Sequence, residues 1–318
     1  KDPDISYIIQ SSEAVADSLR LGQLIILKST TFPGTTTKYV QPILEKKGLI
    51  LGKEYFLAFS PERIDPGNTT WHTGNTPIVA GGVTKWCTTL ACAAHGLIVS
   101  KVIPVSSPNV AEMEKLLENI FRSVNIALVN ELAQLCDRIG VNIWEVVEAA
   151  GTKPFGFMPF FPSIGVGGHC IPVDPTYLSY ISEKFGMEAQ FINLANAVNA
   201  IRPKKVALRI KDELGGSLLN KHIQIAGIAY KPDVLDLRES PALQLIDELI
   251  GLGAKVSWFD PLVQNYNNQK SEPLDTNIDI GLIVTPHSQI DFSIWKEAKV
   301  KVLDLSANSI NYGWPKFL

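Results

Sequence analysis

Short apolar runs alternate with helix-period stretches at both ends of this chain, and that alternation constrains its fold most. "GQLIILKST" (22–30), "EYFLAFSPER" (54–63) and "TPIVAGG" (76–82) read as buried strands. Such runs, separated by helices, predict a parallel α/β sheet. The texture returns after residue 220, where "HIQIAGIAY" (222–230), "KVSWFD", "IGLIVTPH" and "VKVLDLS" are further strands and "PALQLIDELIGLG" (241–253) is a helix among them. Helices between short buried strands predict a second doubly wound unit.

The middle of the chain is different. "SPNVAEMEKLLENIFRSVNIALVNELAQLCDRIG" opens with Ser-Pro and keeps three- and four-residue apolar spacing up to Gly140, which predicts one long helix. A second helical stretch covers 188–216 as a connector, with Pro203 inside it as an expected kink or break. Three regions follow: 1–105, 106–202 and 203–318.

The 318 residues suffice for two or three domains with substantial cores. With 29 Lys and Arg against 32 Asp and Glu, the chain has no basic footprint for nucleic acid or an anionic membrane. Its charged fraction, 19%, is below the usual ~25%, which favours buried contacts between subunits. Cys87, Cys92, Cys136 and Cys170 are no disulfide framework and suit a reducing cytoplasm. No signal-peptide pattern opens the chain and no apolar run has spanning length.

Candidate chemistry gathers at strand ends and in one glycine-rich loop. "GVGGHCIPVDP" (165–175) sets Cys170 after Gly165, Gly167 and Gly168, where main chain can approach a ligand closely. Asp174, four residues on, either orients a water for proton transfer or caps a helix beginning near Pro175. Lys28, Ser29, Thr30 and Thr31 end one strand and Ser60, Glu62 and Arg63 another, at the edge where open α/β sheets bind ligands. The alternatives there are turn chemistry and a local ion pair. Lys115, Asn119 and Arg122 share a helix face, as oxyanion donors or as a solvated stripe. Lys231 and Arg238 in "AYKPDVLDLRES" can reach phosphate, or simply line a loop. Cys87, Cys92 and His95 are not expected to bind metal, because Cys87 and Cys92 point about 140° apart on a helix. A cysteine hydrolase is a further reading of Cys170, but no histidine is placed to serve it.

Taken in order, "KSTTFPGTT", "SPERIDPGN", "AEMEKLLENIFRSVNIALVNE", "GVGGHCIPVDP" and "GIAYKPDVLDLRESPA" resemble the UDP-sugar 6-dehydrogenases, over nearly the whole chain. The resemblance implies two Rossmann-like parallel-sheet domains, for NAD (1–105) and for the UDP-sugar (203–318). Between them it implies a central helical domain (106–202), with a long connecting helix, that forms a homodimer or higher homo-oligomer. It implies a C6 alcohol oxidised to a carboxylate through a Cys170 thiohemiacetal and thioester. Lys115 and Asn119 then stabilise oxyanions, Asp174 and Thr30 orient water, and Glu62 takes protons in hydrolysis. Glu62, Arg63, Ile64, Lys115, Asn119, Arg122, Gly167, Tyr230 and Lys231 match substrate-binding positions. Ser29, Thr30, Thr31, Cys170 and Arg238 match positions at the cofactor. "SPERIDPGN" and "KPFGFMPFFP" look most like the UDP-N-acetylglucosamine branch, ahead of UDP-N-acetylmannosamine and UDP-glucose. Pro66 stands where the UDP-glucose branch carries a second glutamate, and Ser163-Ile164 where Gly-Pro is common. The family's GxGxxG fingerprint belongs before Lys1, so the N-terminal Rossmann half is expected to be missing. A non-catalytic UDP-sugar-binding fragment is the alternative that follows from such a loss.

Overall fold

The apolar runs fold as strands and the polar residues at their ends as the loops that carry chemistry. The computed structural model describes residues 3–65, 68, 70–168, 171–308 and 310–318. In chain order it has α1 (Ser6–Asp17), β1 (Gln23–Leu27), a π-helical turn (Thr36–Val40) running into α2 (Gln41–Glu45), β2 (Tyr55–Phe59), β3 (Ile78–Gly82), α3 (Lys85–Gly96), β4 (Val102–Val105) and α4 (Pro108–Ile139). Next come α5 (Ile143–Gly151), α6 (Asp174–Lys184), α7 (Gln190–Glu213), β5 (His222–Ala226), α8 (Pro241–Gly251) and β6 (Lys255–Phe259). The chain closes with β7 (Asn265–Tyr266), β8 (Gln269–Lys270), β9 (Ile280–Ile283), α9 (Ser293–Glu297) and β10 (Val302–Asp304). These elements make two compact units, Lys1–Phe121 with Val173–Ala189, and Arg122–Pro172 with Gln190–Leu318.

The first unit is built on a sheet of order β1-β2-β3-β4. β1 and β2 are parallel, with Gln23 opposite Tyr55 and Leu27 opposite Phe59, and so are β3 and β4. β2 and β3 run antiparallel, with Ala58 opposite Gly82, so the expected parallel sheet is in fact mixed. The reason lies between them. A parallel neighbour needs a crossover, usually a helix, and the described residues between Phe59 and Ile78 form none. On one face Val40, Ile43 and Leu44 pack with Tyr55 and Leu57. Elsewhere in the unit Phe59 and Val79 meet Ala111 at the start of α4. Each large side chain so buried contributes about 1.5–3 kcal/mol.

The second unit is built on a sheet of order β10-β9-β5-β6, parallel throughout. Ile223, Ile225, Leu282 and Trp258 pack in one core with Leu245 and Leu249 of α8 and with Val206 and Ile210 of α7. Pro203 does not break α7, which runs continuously from Gln190 to Glu213. β5 is an inner strand flanked by β6 and β9, so the carboxyl ends of three parallel strands lie side by side. Among the described residues no helix is long and apolar enough to cross a membrane.

Candidate active site

In the first unit, α4 presents Lys115 and Asn119, both half-buried. α6 begins at Asp174, whose preceding residue Val173 makes no side-chain cap. The Asp174 carboxylate does not cap the helix. It turns to α4, where Asn119 Nδ2 donates to its Oδ2 at 2.5 Å. Asp174 is buried. Burial pushes its carboxyl up to about 6, against the pull of the Asn119 hydrogen bond and the Lys115 charge. A carboxylate of that proton affinity can exchange a proton near neutral pH.

The loops after β1 and β2 bring Lys28 and Glu62 together, Nζ to Oε2, at 3.4 Å. Glu62 Oε1 accepts the backbone N–H groups of Arg63 and Ile64 at 2.9 and 3.0 Å. Burial raises the Glu62 carboxyl, but these donors and Lys28 outweigh it and hold the group below the ordinary range. Arg63 reaches back to α4. Its Nη2 donates to Glu114 and, at 2.6 Å, to Glu118, while Nη1 donates to the Pro77 carbonyl at 3.1 Å. Burial and the neighbouring Glu118 push the Glu114 carboxyl to about 7, with Arg63 opposing. Ile64 is exposed.

Thr30 is half-buried and Ser29 exposed in the loop after β1. Thr31 is buried, with its hydroxyl 2.7 Å from that of Thr35. Ser29 borders a largely apolar cleft of about 210 Å³ whose lining includes Tyr7, Ser11, Val15 and Ile25. The cleft runs along β1 (Ile25, Ile26 and Leu27) beside α1, and Ser29 lies beyond the carboxyl end of the strand. Sequence reasoning missed Glu112. Fully buried on α4, it accepts hydrogen bonds from Gly34 N (2.7 Å), Thr36 N (2.9 Å) and Thr36 Oγ1 (2.7 Å). It ties the loop after β1 to the helix of Lys115 and Asn119. Its place three residues before Lys115, on the same helix face, was the available signal.

In the second unit the glycine-rich loop packs on protein. A Cβ on Gly167 would lie 2.7 Å from Cδ of Pro241 and 3.1 Å from Cβ of Tyr230. One on Gly168, at φ +87°, would lie 3.0 Å from the Tyr230 ring. Gly168 N donates to the Arg238 carbonyl at 3.2 Å. Tyr230 and Lys231 are half-buried in the loop after β5. Arg238 is exposed and grips Asp236 through Nε and Nη2 at 2.9 and 2.5 Å. Arg122 is exposed on α4. Cys170 and its neighbour His169 lie outside the described residues. Cys87 is buried in the first unit's core, with its sulfur 3.4 Å from Leu57 N.

Comparison with known proteins places these loops in one family. Its NAD binding domain matches residues 1–95, its central domain 109–201 and its UDP binding domain 224–310. The first match overturns the expectation that half of the N-terminal Rossmann domain is missing: residues 1–95 are themselves recognised as the NAD binding domain. A UDP-N-acetyl-D-mannosamine dehydrogenase of Pyrococcus horikoshii is 34% identical over 93% of the chain and 70% of its own length. A UDP-N-acetyl-D-glucosamine 6-dehydrogenase of Pseudomonas aeruginosa is 34% identical over 83% of the chain and 63% of its own length. The solved structure of a UDP-D-ManNAc dehydrogenase from Pyrococcus horikoshii superposes with a TM-score of 0.86 at 30% identity, covering 99% of this chain and 75% of that one. The chain therefore belongs to the UDP-glucose/GDP-mannose dehydrogenase family and is an NAD-dependent nucleotide-sugar dehydrogenase.

Proposed function

We propose that the chain oxidises the C6 alcohol of UDP-N-acetylmannosamine to the uronate, a four-electron reaction that supplies a precursor of surface polysaccharide. The motif reading that puts UDP-N-acetylglucosamine first gives way here, because N-acetylmannosamine is the sugar named for the Pyrococcus horikoshii relative in both sequence and structure. NAD, when bound, takes the hydride in each of the two oxidations.

The observation that carries this reading is the Asn119–Asp174 pair. A buried carboxylate raised to about 6, beside an amide donor and a lysine, suits hydrolysis of an acyl intermediate. Cys170 adds to the aldehyde, and its thiohemiacetal loses a second hydride to become a thioester. Lys115 and Asn119 stabilise the oxyanions. Asp174 and Thr30 orient the water that attacks the thioester, Glu62 receives the proton, and the Cys170 thiol leaves. Ser29, Thr30, Thr31 and Arg238 are assigned to the cofactor in this reading. Arg63, Ile64, Arg122, Gly167, Tyr230 and Lys231 hold the UDP-sugar.

Residues 1–105, 106–202 and 203–318 are the NAD, helical and UDP-sugar domains of this reading, in a cytoplasmic homodimer. Leu128, Leu132, Leu135 and Ile139 support the dimer, since they leave a stripe of apolar side chains exposed along α4. The test is stoichiometry. Two reduced nicotinamides per UDP-N-acetylmannosamine are expected, with none from Cys170→Ala at steady state. Normal turnover by Cys170→Ala, or one reduced nicotinamide per sugar, removes the mechanism.

A further inference from the structure

The loop after β5 carries Tyr230 and Lys231, and it is pinned from both flanking strands. Asp260, directly after β6, is fully buried, and its carboxylate gathers five donors. Oδ2 accepts Ile228 N at 2.9 Å, Ala229 N at 3.1 Å and the His287 ring at 3.0 Å. Oδ1 accepts Leu262 N at 2.9 Å and Val263 N at 3.1 Å. His287, in the loop after β9, is equally buried. Its Nδ1 accepts Asp233 N–H at 2.9 Å, so Nε2 carries the hydrogen and donates to Asp260. Asp233 in turn accepts Ser288 N and Oγ at 2.8 and 2.9 Å, and sits at φ +60°. Both ring nitrogens and both carboxylate oxygens are thus spent on protein.

We propose that Asp260 and His287 are positioning residues for UDP binding: Asp260 fixes the start of the Tyr230–Lys231 segment, and His287, through Asp233, fixes its far turn. Neither touches the nucleotide, since both side chains are wholly buried. The pair acts by holding the segment in one conformation before the ligand arrives, which removes an ordering cost from binding. The inference rests on the reading of this loop as the UDP-sugar site.

Two substitutions separate the halves of the ring. His287→Asn keeps an acceptor for Asp233 N–H and loses the donor to Asp260; His287→Gln does the reverse. UDP is titrated into the full chain by calorimetry, with NAD titrated in parallel. His287→Gln is expected to bind UDP about tenfold more weakly and His287→Asn less than threefold, with NAD affinity unchanged in both. In turnover His287→Gln raises KM for the UDP-sugar and leaves kcat within twofold. Ser288→Ala, on the exposed side of the turn, keeps the fold and weakens UDP about threefold. Variants that lose thermal stability but bind UDP as the unaltered chain does overturn the proposal, because the pair is then structural only. An unaltered chain that takes up no UDP removes the functional reading itself, and this inference with it.

Discussion

Asn119 Nδ2 lies 2.5 Å from Oδ2 of Asp174, joining α4 to the first turn of α6 across 55 positions of sequence. Burial raises the Asp174 carboxyl to about 6 even against the pull of this contact and of the Lys115 charge. Asn119→Ala therefore moves the acidic limb of the pH–rate profile upward and lowers kcat by about 10²–10³, the usual cost of one oxyanion donor. Steady-state rates between pH 5 and 9 check both shifts.

Asp174→Asn separates chemistry from stability. Because the folded pKa lies above the ordinary value of 3.8, the ionised carboxylate opposes folding, and stability present below pH 3.8 is lost as pH rises through 6. Asparagine escapes that cost. The variant is expected to be inactive yet more stable by about 1–3 kcal/mol at pH 8, with the gain gone at pH 4. Denaturant melts at the two pH values decide it; an equal effect at both refutes the linkage.

Glu112→Ala strands the N–H groups of Gly34 and Thr36 in a buried site. Each stranded donor costs about 1–3 kcal/mol. A lower urea midpoint is expected, and NAD affinity is expected to fall with it because the loop after β1 loses its tie to α4. Unchanged NAD binding would separate that loop from the cofactor.

Gly227→Ala tests the same second-unit loop from its backbone. A Cβ there would stand 1.8 Å from the Thr285 carbonyl oxygen, at φ +82°. Backbone must move, so destabilisation of about 3 kcal/mol or more is expected. Gly167→Ala, whose nearest neighbour is Cδ of Pro241, is expected to cost about 1–3 kcal/mol. Thermal melts of the two variants check the order.

Leu128→Lys with Leu135→Lys places two charges in the exposed apolar stripe of α4. Sedimentation velocity is expected to show a dimer for the unaltered chain and a monomer for the double variant. The same mass for both would move the interface elsewhere.

Local pattern carried much of this structure. Near-continuous apolar runs marked β1, β2 and β5, and the spacing from Ser107 to Gly140 marked α4 and set Lys115 and Asn119 one turn apart. What stayed hidden depends on distant pairing. Nothing beside Asp174 says that its partner is Asn119 rather than its own helix end. Asp260 and His287 look like ordinary residues at strand ends, and only the order β9-β5-β6 brings them to one loop. The antiparallel pairing of β2 and β3 goes with the lack of a crossover helix among the described residues between them, which a strand-by-strand reading does not register.

The first unit is discontinuous in sequence, and this sets an order of events during synthesis. Residues up to Phe121 leave the ribosome well before Val173–Ala189, which complete that unit. At about 5–20 residues per second the intervening stretch takes about 3–10 s to make. Through that interval Asn119 waits without Asp174, and the nascent first unit lacks the hydrogen bond that joins α4 to α6.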